Sequence, residues 1–304
     1  MSQLVFHHYS MSPFSEKIRS MLGYTNTEWL SSNTKEIPPR PKLAPLVGGY
    51  RKIPVLQIGS NIFCDTRAIT SEIATLTNKP ELAMENCDAS VQEFVEEVDL
   101  HTFFACVSSA SSKELRRKTL SSMSLLDSGR LLIDRYQMTR SASIKIANPI
   151  AARKIVNSHL DALEDRLTEP FIFGPQPNIA DFSAYHGLWF IRELAEKKTI
   201  TAFPKVNAWM DRMKSFGNGE PANISAEYAL RIANNTEPRP IEPDHQQHAT
   251  IGQVVSIAPS DYGKAPTEGI LVGATPTQWI ISRKNEHTGT VHVHFPKQGF
   301  ALED

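Results

Sequence analysis

The residues whose side chains are best suited to binding a ligand are Asp65 and Thr66, an acidic and a hydroxyl side chain next to each other. Ile69, Ile73 and Leu76 follow them at helical spacing, which predicts a helix that begins directly after the pair. The pair would then stand at a helix N-terminus, where backbone N–H groups lack partners within the helix. Such N–H groups attract a ligand carboxylate, so the pair is a candidate binding site.

A predicted hairpin leads into this pair. Two short apolar runs, residues 53–58 and 62–64, flank a polar turn at residues 59–61, which is a hairpin pattern. Pro54 stands at the start of the first run, where a proline is tolerated in a sheet. An ordinary hairpin followed by a helix cap has the same pattern, so these residues alone leave both interpretations open.

A second group of candidate residues, Tyr9, Ser10 and Ser12, follows an apolar run at residues 4–7 that predicts a buried strand. Ser12 and the proline after it form a typical helix start, since serine caps free N–H groups and proline suits the first helical position. The Ser12 hydroxyl is therefore expected at the positive end of a helix dipole.

After the predicted hairpin and the helix that follows it, the sequence pattern becomes helical. Beyond residue 80 the apolar residues recur at helical spacing, for example at Val156, Leu160 and Leu163, which predicts an all-helical region. Asn178 and Asp181 have the spacing of a capping box at the start of another helix. We interpret both as structural, since a buried carboxylate that accepts backbone N–H bonds is satisfied.

Taken together, these stretches resemble the glutathione S-transferase family. The motifs, in their order along the chain, are Ser-Pro-Phe-Ser at 12–15, Ile-Pro-Val-Leu at 53–56, Asp-Thr at 65–66 and Pro-Asn-Ile-Ala-Asp at 177–181. The resemblance covers about residues 1–220. It implies an α+β chain with a thioredoxin-like βαβαββα glutathione-binding domain at residues 1–80 and an all-helical domain at residues 88–220.

The resemblance also implies a role for each residue of the site. The family's cis proline corresponds to Pro54, so the backbone of Ile53 is expected to pair with the cysteinyl part of glutathione. Asp65 and Thr66 are expected to hold the γ-glutamyl end. Phe14, Lys52 and Arg67 are further expected contacts, Lys52 with the glycyl carboxylate. For Arg67, a contact with Asp65 and a position in solvent stay open.

Family members carry a Tyr, Ser or Cys close to the sulfur of glutathione. A thiol attacks as the thiolate, so its pKa must fall from about 8.5 toward neutrality, and a hydroxyl that donates to the thiolate helps. Ser12 stands where omega-like members have cysteine, and a serine cannot form a mixed disulfide. Ser12 is the leading candidate, Ser10 and Tyr9 are alternatives, and Ser12 as a helix cap alone also stays open.

The last part of the chain, from residue 221 onward, has a different sequence pattern from the helical region. Residues 221–247 are rich in proline and predict a linker. Residues 248–304 alternate short β runs with turns, which predicts a small antiparallel sheet or barrel of four or five strands, with no assigned role. His292 and His294 would share one face of a strand, but no acidic or thiol residue supports them, so we expect no metal.

Charge, hydrophobicity and cysteine content bear on the possible partners and the location of the protein. The net charge is −1, and no long basic run suggests a nucleic-acid partner. No apolar run approaches the roughly 18 residues of a membrane span, and the N-terminus lacks the pattern of a signal peptide. Three cysteines, Cys64, Cys87 and Cys106, at wide spacing suit a reducing cytosol. We expect a cytoplasmic protein.

The expected function is that of a homodimeric glutathione transferase of the kind used in detoxification. Glutathione would be the co-substrate, without a metal, and a small hydrophobic electrophile would bind between the two domains. One alternative is a non-catalytic glutathione- or ligand-binding protein that uses its β tail for a partner. Another is a glutathione-dependent isomerase or lyase.

Overall fold

The computed structural model describes residues 3–140 and 147–303. The predicted domain ranges also include residues 1–2, 141–146 and 304, which lie outside the described residues.

Ten strands are present in the described residues. They are β1 Leu4–His8, β2 Trp29–Asn33, β3 Val55–Ile58, β4 Asn61–Cys64, β5 Pro221–Asn223, β6 Val254–Pro259, β7 Thr267–Ala274, β8 Gln278–Asn285, β9 Gly289–Pro296 and β10 Phe300–Glu303.

Eleven α-helices are present in the same ranges. They are α1 Pro13–Tyr24, α2 Ala44–Val47, α3 Thr66–Thr77, α4 Ala89–Glu97, α5 Phe103–Ser109, α6 Lys113–Ser122, α7 Leu125–Arg140, α8 Pro149–Arg166, α9 Ile179–Trp189, α10 Pro204–Ser215 and α11 Ala226–Asn234. Two π-helical turns, Val98–Thr102 and Phe190–Leu194, lie between α4 and α5 and directly after α9.

The N-terminal elements β1 to α3 have the order βαβαββα, so the thioredoxin-like fold that the resemblance implied is confirmed. β1 runs parallel to β2 and antiparallel to β3, and β3 forms the predicted hairpin with β4. The apolar residues of β1 and of helix α1 are buried in one core, Phe6 and Ile18 completely. This packing holds the loop between β1 and α1 beside the β3–β4 hairpin.

The helical region is built around helix α9, which is buried along nearly its whole length. The predicted capping box is present at its start, since Asn178 accepts from the N–H of Ala180 and Asp181 accepts from the N–H of Asn178. Asp181 also accepts from the N–H of Ile172 and from the indole of Trp209, at 3.0 and 2.9 Å. With these partners its carboxylate is satisfied inside the core, away from the cavities described below.

The C-terminal strands form the predicted antiparallel sheet, with β10, β6, β7, β8 and β9 as successive neighbours. The sheet does not end there, because β9 pairs in parallel with β4 of the N-terminal hairpin. All ten strands therefore belong to one sheet, in the order β10-β6-β7-β8-β9-β4-β3-β1-β2-β5. That residues 248–304 form a domain by themselves stays a prediction.

A second apolar core fastens the C-terminal strands to the N-terminal half. Val293 and Phe295 of β9 are fully buried there together with Val55 and Ile62 of the hairpin. Burying side chains of this size is worth about 1.5–3 kcal/mol each. The two parts of the chain are thus joined by side-chain burial as well as by the β4–β9 ladder.

The segment predicted as a linker contains strand β5, helix α11 and a short 3-10 helix at Pro243–Gln246. β5 pairs in parallel with β2 at the edge of the sheet, and helix α11 begins at the Ser225 cap. The side chains of β5 are exposed, so the segment lacks the alternating apolar pattern by which a strand is usually recognised.

His294 provides a test of the contact between β9 and β4. Its ring stacks on Phe63 at 4.4 Å, and its Nε2 atom lies 3.3 Å from Oδ1 of Asn61. Burial, together with His292 and Arg239, lowers the pKa of His294 from 6.5 to about 3. The folded protein keeps the ring neutral, while the unfolded chain binds a proton below about pH 6.5, so stability should fall as the pH falls through this window.

We expect the variant His294→Leu to lose less stability than the wild type between about pH 7 and about pH 5. The difference should approach 1.4 kcal/mol per pH unit below pH 6.5, the linkage of one proton. Urea unfolding at several pH values measures it. His287→Leu is the control, because His287 is exposed in the turn before β9. Equal pH dependence in the wild type and His294→Leu would contradict the assignment.

Candidate functional site

Two neighbouring cavities lie where the N-terminal half meets the helical region and the C-terminal strands. We call the smaller one, of about 80 Å³, the polar cavity. The larger one, of about 440 Å³, is the apolar cavity. Four residues border both cavities: Phe14, Lys52, Ile53 and Tyr262.

The polar cavity lies at the N-terminus of helix α3. It is bordered by Pro54, Asp65, Thr66 and Arg67, so it brings together most of the residues expected to contact glutathione. Asp65 caps the helix, since its Oδ1 atom accepts from the N–H of Arg67 at 3.1 Å. The Ile53–Pro54 peptide bond is cis, as the resemblance implied.

The apolar cavity lies between the N-terminal half and the helical region. Phe103, Phe104 and Val107 of α5, with Phe190, supply much of its apolar wall. A charged group also borders it, made up of Glu36, Arg40, Arg51 and Arg135. An apolar wall with a few charged groups suits an organic molecule of moderate size.

The three candidate catalytic residues do not lie together. Ser12 and Tyr9 border the apolar cavity, whereas Ser10 borders a separate cavity of about 410 Å³ beside His8 and Arg19. Ser12 caps helix α1, because its Oγ atom accepts from the N–H of Ser15 at 3.2 Å. A hydroxyl that accepts through oxygen still has its own proton to donate, so capping and a contact with a ligand are compatible.

Lys52 has an unexpected partner. Its Nζ atom donates to both carboxylate oxygens of Asp261, at 2.7 and 3.0 Å, and lies 3.9 Å from the centre of the Tyr262 ring. Asp261 and Tyr262 belong to the C-terminal region, in the turn between β6 and β7. The charge of Lys52 is therefore balanced within the protein.

Arg67 also contacts the C-terminal region. Its Nη1 atom donates to the backbone carbonyl of Gln298 at 3.1 Å. Gly299 and Phe300, which follow Gln298, border the polar cavity. The C-terminal strands thus form one wall of the polar cavity.

Comparison with known proteins bears on the whole chain. Residues 6–81 match the family model described as Glutathione S-transferase, N-terminal domain, and residues 130–212 match the one described as Glutathione S-transferase, C-terminal domain. A GST-like protein from Pseudomonas syringae has 30% sequence identity and a TM-score of 0.78, with 100% of both chains covered. The chain belongs to the glutathione S-transferase family.

Other solved structures that are similar to this chain are more distant. A glutathione S-transferase from Rhodospirillum rubrum F11 has 17% identity and a TM-score of 0.49, covering 70% of this chain and 88% of its own. FzlA from C. crescentus has 20% identity and a TM-score of 0.46, with the same coverage. No curated protein sequence matches the chain.

Sequence reasoning missed Asp99, which lies in the π-helical turn after α4 and borders the polar cavity. Its Oδ2 atom accepts from Lys17 Nζ at 2.7 Å, whereas Oδ1 has no hydrogen-bond partner among the described residues. Burial alone would raise the pKa of Asp99, but Lys17, His186 and Arg67 together outweigh burial and lower it. Asp99 lies far from the recognised motifs in the sequence, so no sequence pattern indicated that its carboxylate borders the site.

Asp261 and Tyr262 were missed for a similar reason. The dipeptide stands in a turn-like stretch of the C-terminal region, and only the folding of that region onto the hairpin brings it to the cavities. Phe104 on helix α5, which packs edge-on against Tyr262 at 5.3 Å, comes from a third part of the chain.

Within residues 3–140 and 147–303, no three His, Cys, Asp or Glu side chains are grouped so that they could hold a metal ion. No helix in these ranges is both long enough and apolar enough to cross a membrane. Cys64 and Cys106 are buried free thiols, and burial raises the pKa of both.

Asp65 allows the cap of α3 to be separated from the negative charge at the cavity. Its backbone has a positive φ of 77°, which asparagine adopts more readily than alanine does. Asp65→Ala should lower the free energy of unfolding by about 0.5–2 kcal/mol, the usual effect of a lost cap, whereas Asp65→Asn should keep most of it. Urea unfolding of both variants measures this, and equal losses would argue against a capping role.

Proposed function

We propose that this glutathione S-transferase family member binds glutathione and transfers it to an apolar electrophile. The observation that carries the proposal is that Ile53 borders both the polar and the apolar cavity. Glutathione held at Ile53 would have its γ-glutamyl end in the polar cavity and its sulfur facing the apolar one.

The polar cavity suits the amino-acid end of glutathione. The N-terminus of the twelve-residue helix α3 favours a carboxylate. Asp65 and Asp99, whose Oδ1 atom has no hydrogen-bond partner among the described residues, supply negative charge for an ammonium group. Because Lys52 is already paired with Asp261, the glycyl carboxylate would gain less from Lys52 than from a free lysine.

The electrophile would bind in the apolar cavity, against Phe103, Phe104 and Phe190. In the proposed step the glutathione thiol loses its proton to water, and the thiolate forms a bond to the electrophilic carbon while the leaving group departs with its electron pair. Ser12 would donate a hydrogen bond to the thiolate from the N-terminus of α1. Both the donor and the helix dipole lower the pKa of the thiol.

We also propose a homodimer. Large apolar side chains are exposed on helices α6 to α8, including Leu120, Leu126, Ile133 and Ile150, and Leu126 is 77% exposed. Contact with a second copy of the chain would remove this surface from water, which is favourable. Light scattering after size-exclusion chromatography would show twice the mass of one chain, and a mass of one chain would contradict the proposal.

Isothermal titration with glutathione tests the binding step directly. We expect saturable binding to the wild type and weaker binding to Asp65→Asn, which keeps the cap of α3 but removes a negative charge from the cavity. Absence of binding to the wild type would overturn the proposed function. Binding without turnover of any electrophile would favour a non-catalytic binding protein. The internal pairing of Lys52 with Asp261 is the observation that supports this alternative.

The role of Ser12 is tested by conjugation kinetics. Ser12→Ala should lower the conjugation rate by roughly 10- to 1000-fold, since one hydrogen-bond donor to the developing charge is removed. Ser225→Ala is a matched control, because Ser225 likewise caps a helix by accepting from an N–H, that of Tyr228, but lies away from both cavities. A rate for Ser12→Ala within about twofold of the wild type would exclude Ser12 from the mechanism.

A further inference from the structure

The turn between β6 and β7 brings C-terminal residues into the site. Asp261 and Tyr262 border the polar cavity, as do Gly299 and Phe300 before and at the start of β10. Among these four residues Tyr262 alone also borders the apolar cavity. This tyrosine therefore lies at the junction between the two cavities.

Tyr262 is held at the junction by residues from several parts of the chain. The face of its ring lies 3.9 Å from Lys52 Nζ, and its edge packs against Phe104 with ring centres 5.3 Å apart. Its backbone N–H donates to Oδ1 of Asp261 at 2.6 Å. Asp261 also binds Lys52, so the carboxylate holds both the backbone of Tyr262 and the ammonium group that covers its ring.

The junction is where the sulfur of a bound glutathione would lie, and this step rests on the proposed function. A cysteinyl backbone paired with Ile53 places its side chain among the residues that border both cavities. Phe14 and Ile53 have no side-chain donor, and Lys52 is engaged with Asp261. Tyr262 is the remaining side chain at the junction with a polar hydrogen to give.

We propose that Tyr262 is a catalytic residue whose hydroxyl donates a hydrogen bond to the glutathione thiolate. The thiol proton passes to water, Tyr262 keeps its own proton, and the new bond between sulfur and the electrophilic carbon forms as the leaving group departs. Ser12 would act on the sulfur from the side of helix α1, and Tyr262 from the side of the C-terminal strands.

The surroundings of Tyr262 favour a donor. Burial, Asp261 and Asp65 raise the pKa of Tyr262 well above its usual value of 10.0, so the phenol stays protonated over the neutral range. A preorganised donor at a partly desolvated position stabilises developing charge more than one in water does.

The test compares the wild type with Tyr262→Phe, which keeps the ring and its packing. The pKa of bound glutathione is followed by the ultraviolet absorbance of the thiolate, and kcat and KM are measured with an aryl halide electrophile. Tyr262→Phe should raise the pKa of the bound thiol by about one unit and lower kcat/KM by about 10- to 100-fold near neutral pH. Tyr228→Phe, at the exposed Tyr228 of helix α11, should change neither.

A structural role is separated from a catalytic one by S-methylglutathione, which has no thiol. If Tyr262 acts on the sulfur, this ligand should bind the wild type and Tyr262→Phe with dissociation constants within about twofold of each other. An unchanged pKa of the bound thiol in Tyr262→Phe would overturn the proposal. The proposal would also be overturned if Tyr262→Phe bound S-methylglutathione so much more weakly than the wild type that this accounted for the whole loss of rate. A wild type that binds no glutathione would instead overturn the proposed function, and this inference with it.

Discussion

The parallel pairing of β4 with β9 is the interaction on which the rest of the architecture depends. Without a neighbour, β4 would be the edge of the N-terminal sheet and would leave a row of backbone groups unpaired. Asn61, Ile62 and Phe63 instead have partners at His292, Val293 and His294. The pairing turns an edge strand into an interior one and makes the C-terminal strands a continuation of the glutathione S-transferase sheet.

This continuation changes the composition of the site. Because β9 is fixed to the hairpin, the turn at Asp261 and Tyr262 and the segment around Phe300 reach the N-terminus of α3. Lys52, for which the family resemblance implies a contact with a ligand carboxylate, is paired with Asp261. Breaking such a nearly buried pair by removing one partner leaves an uncompensated charge, which is costly. The local electrostatics of the polar cavity are therefore set jointly by the N-terminal half and the C-terminal strands.

The helical region contributes in a different way. Asp181, Trp209 and the capping box of α9 make a satisfied polar cluster inside an apolar core, and this cluster borders neither cavity. Phe14 connects that core to the site, since its ring packs on Phe103 and His186 with centres 4.5 and 4.7 Å apart. The wall of the apolar cavity is thus held in place by packing around a core that takes no part in the proposed chemistry.

Much of the site was predictable because its signals are local. Ser12 before a proline, the hairpin that starts at Pro54, and Asp65 with Thr66 before a helix are each read from a few neighbouring residues, and caps and turns depend on such short-range contacts. The capping box at Asn178 and Asp181 belongs to the same class. Their order along the chain also pointed to the family.

The sequence by itself determined the N-terminal fold, the helical region and the strands of the tail, since these follow from caps, turns and the spacing of apolar residues. Only the tertiary structure decided that Ser10 lies in a different cavity from Ser12, and that Asp99, Asp261 and Tyr262 border the site. Lys52 and Asp261 are 209 positions apart. Strand pairing is made by backbone N–H and C=O groups, which every residue type except proline carries, so no side-chain pattern indicated which strand β9 would join.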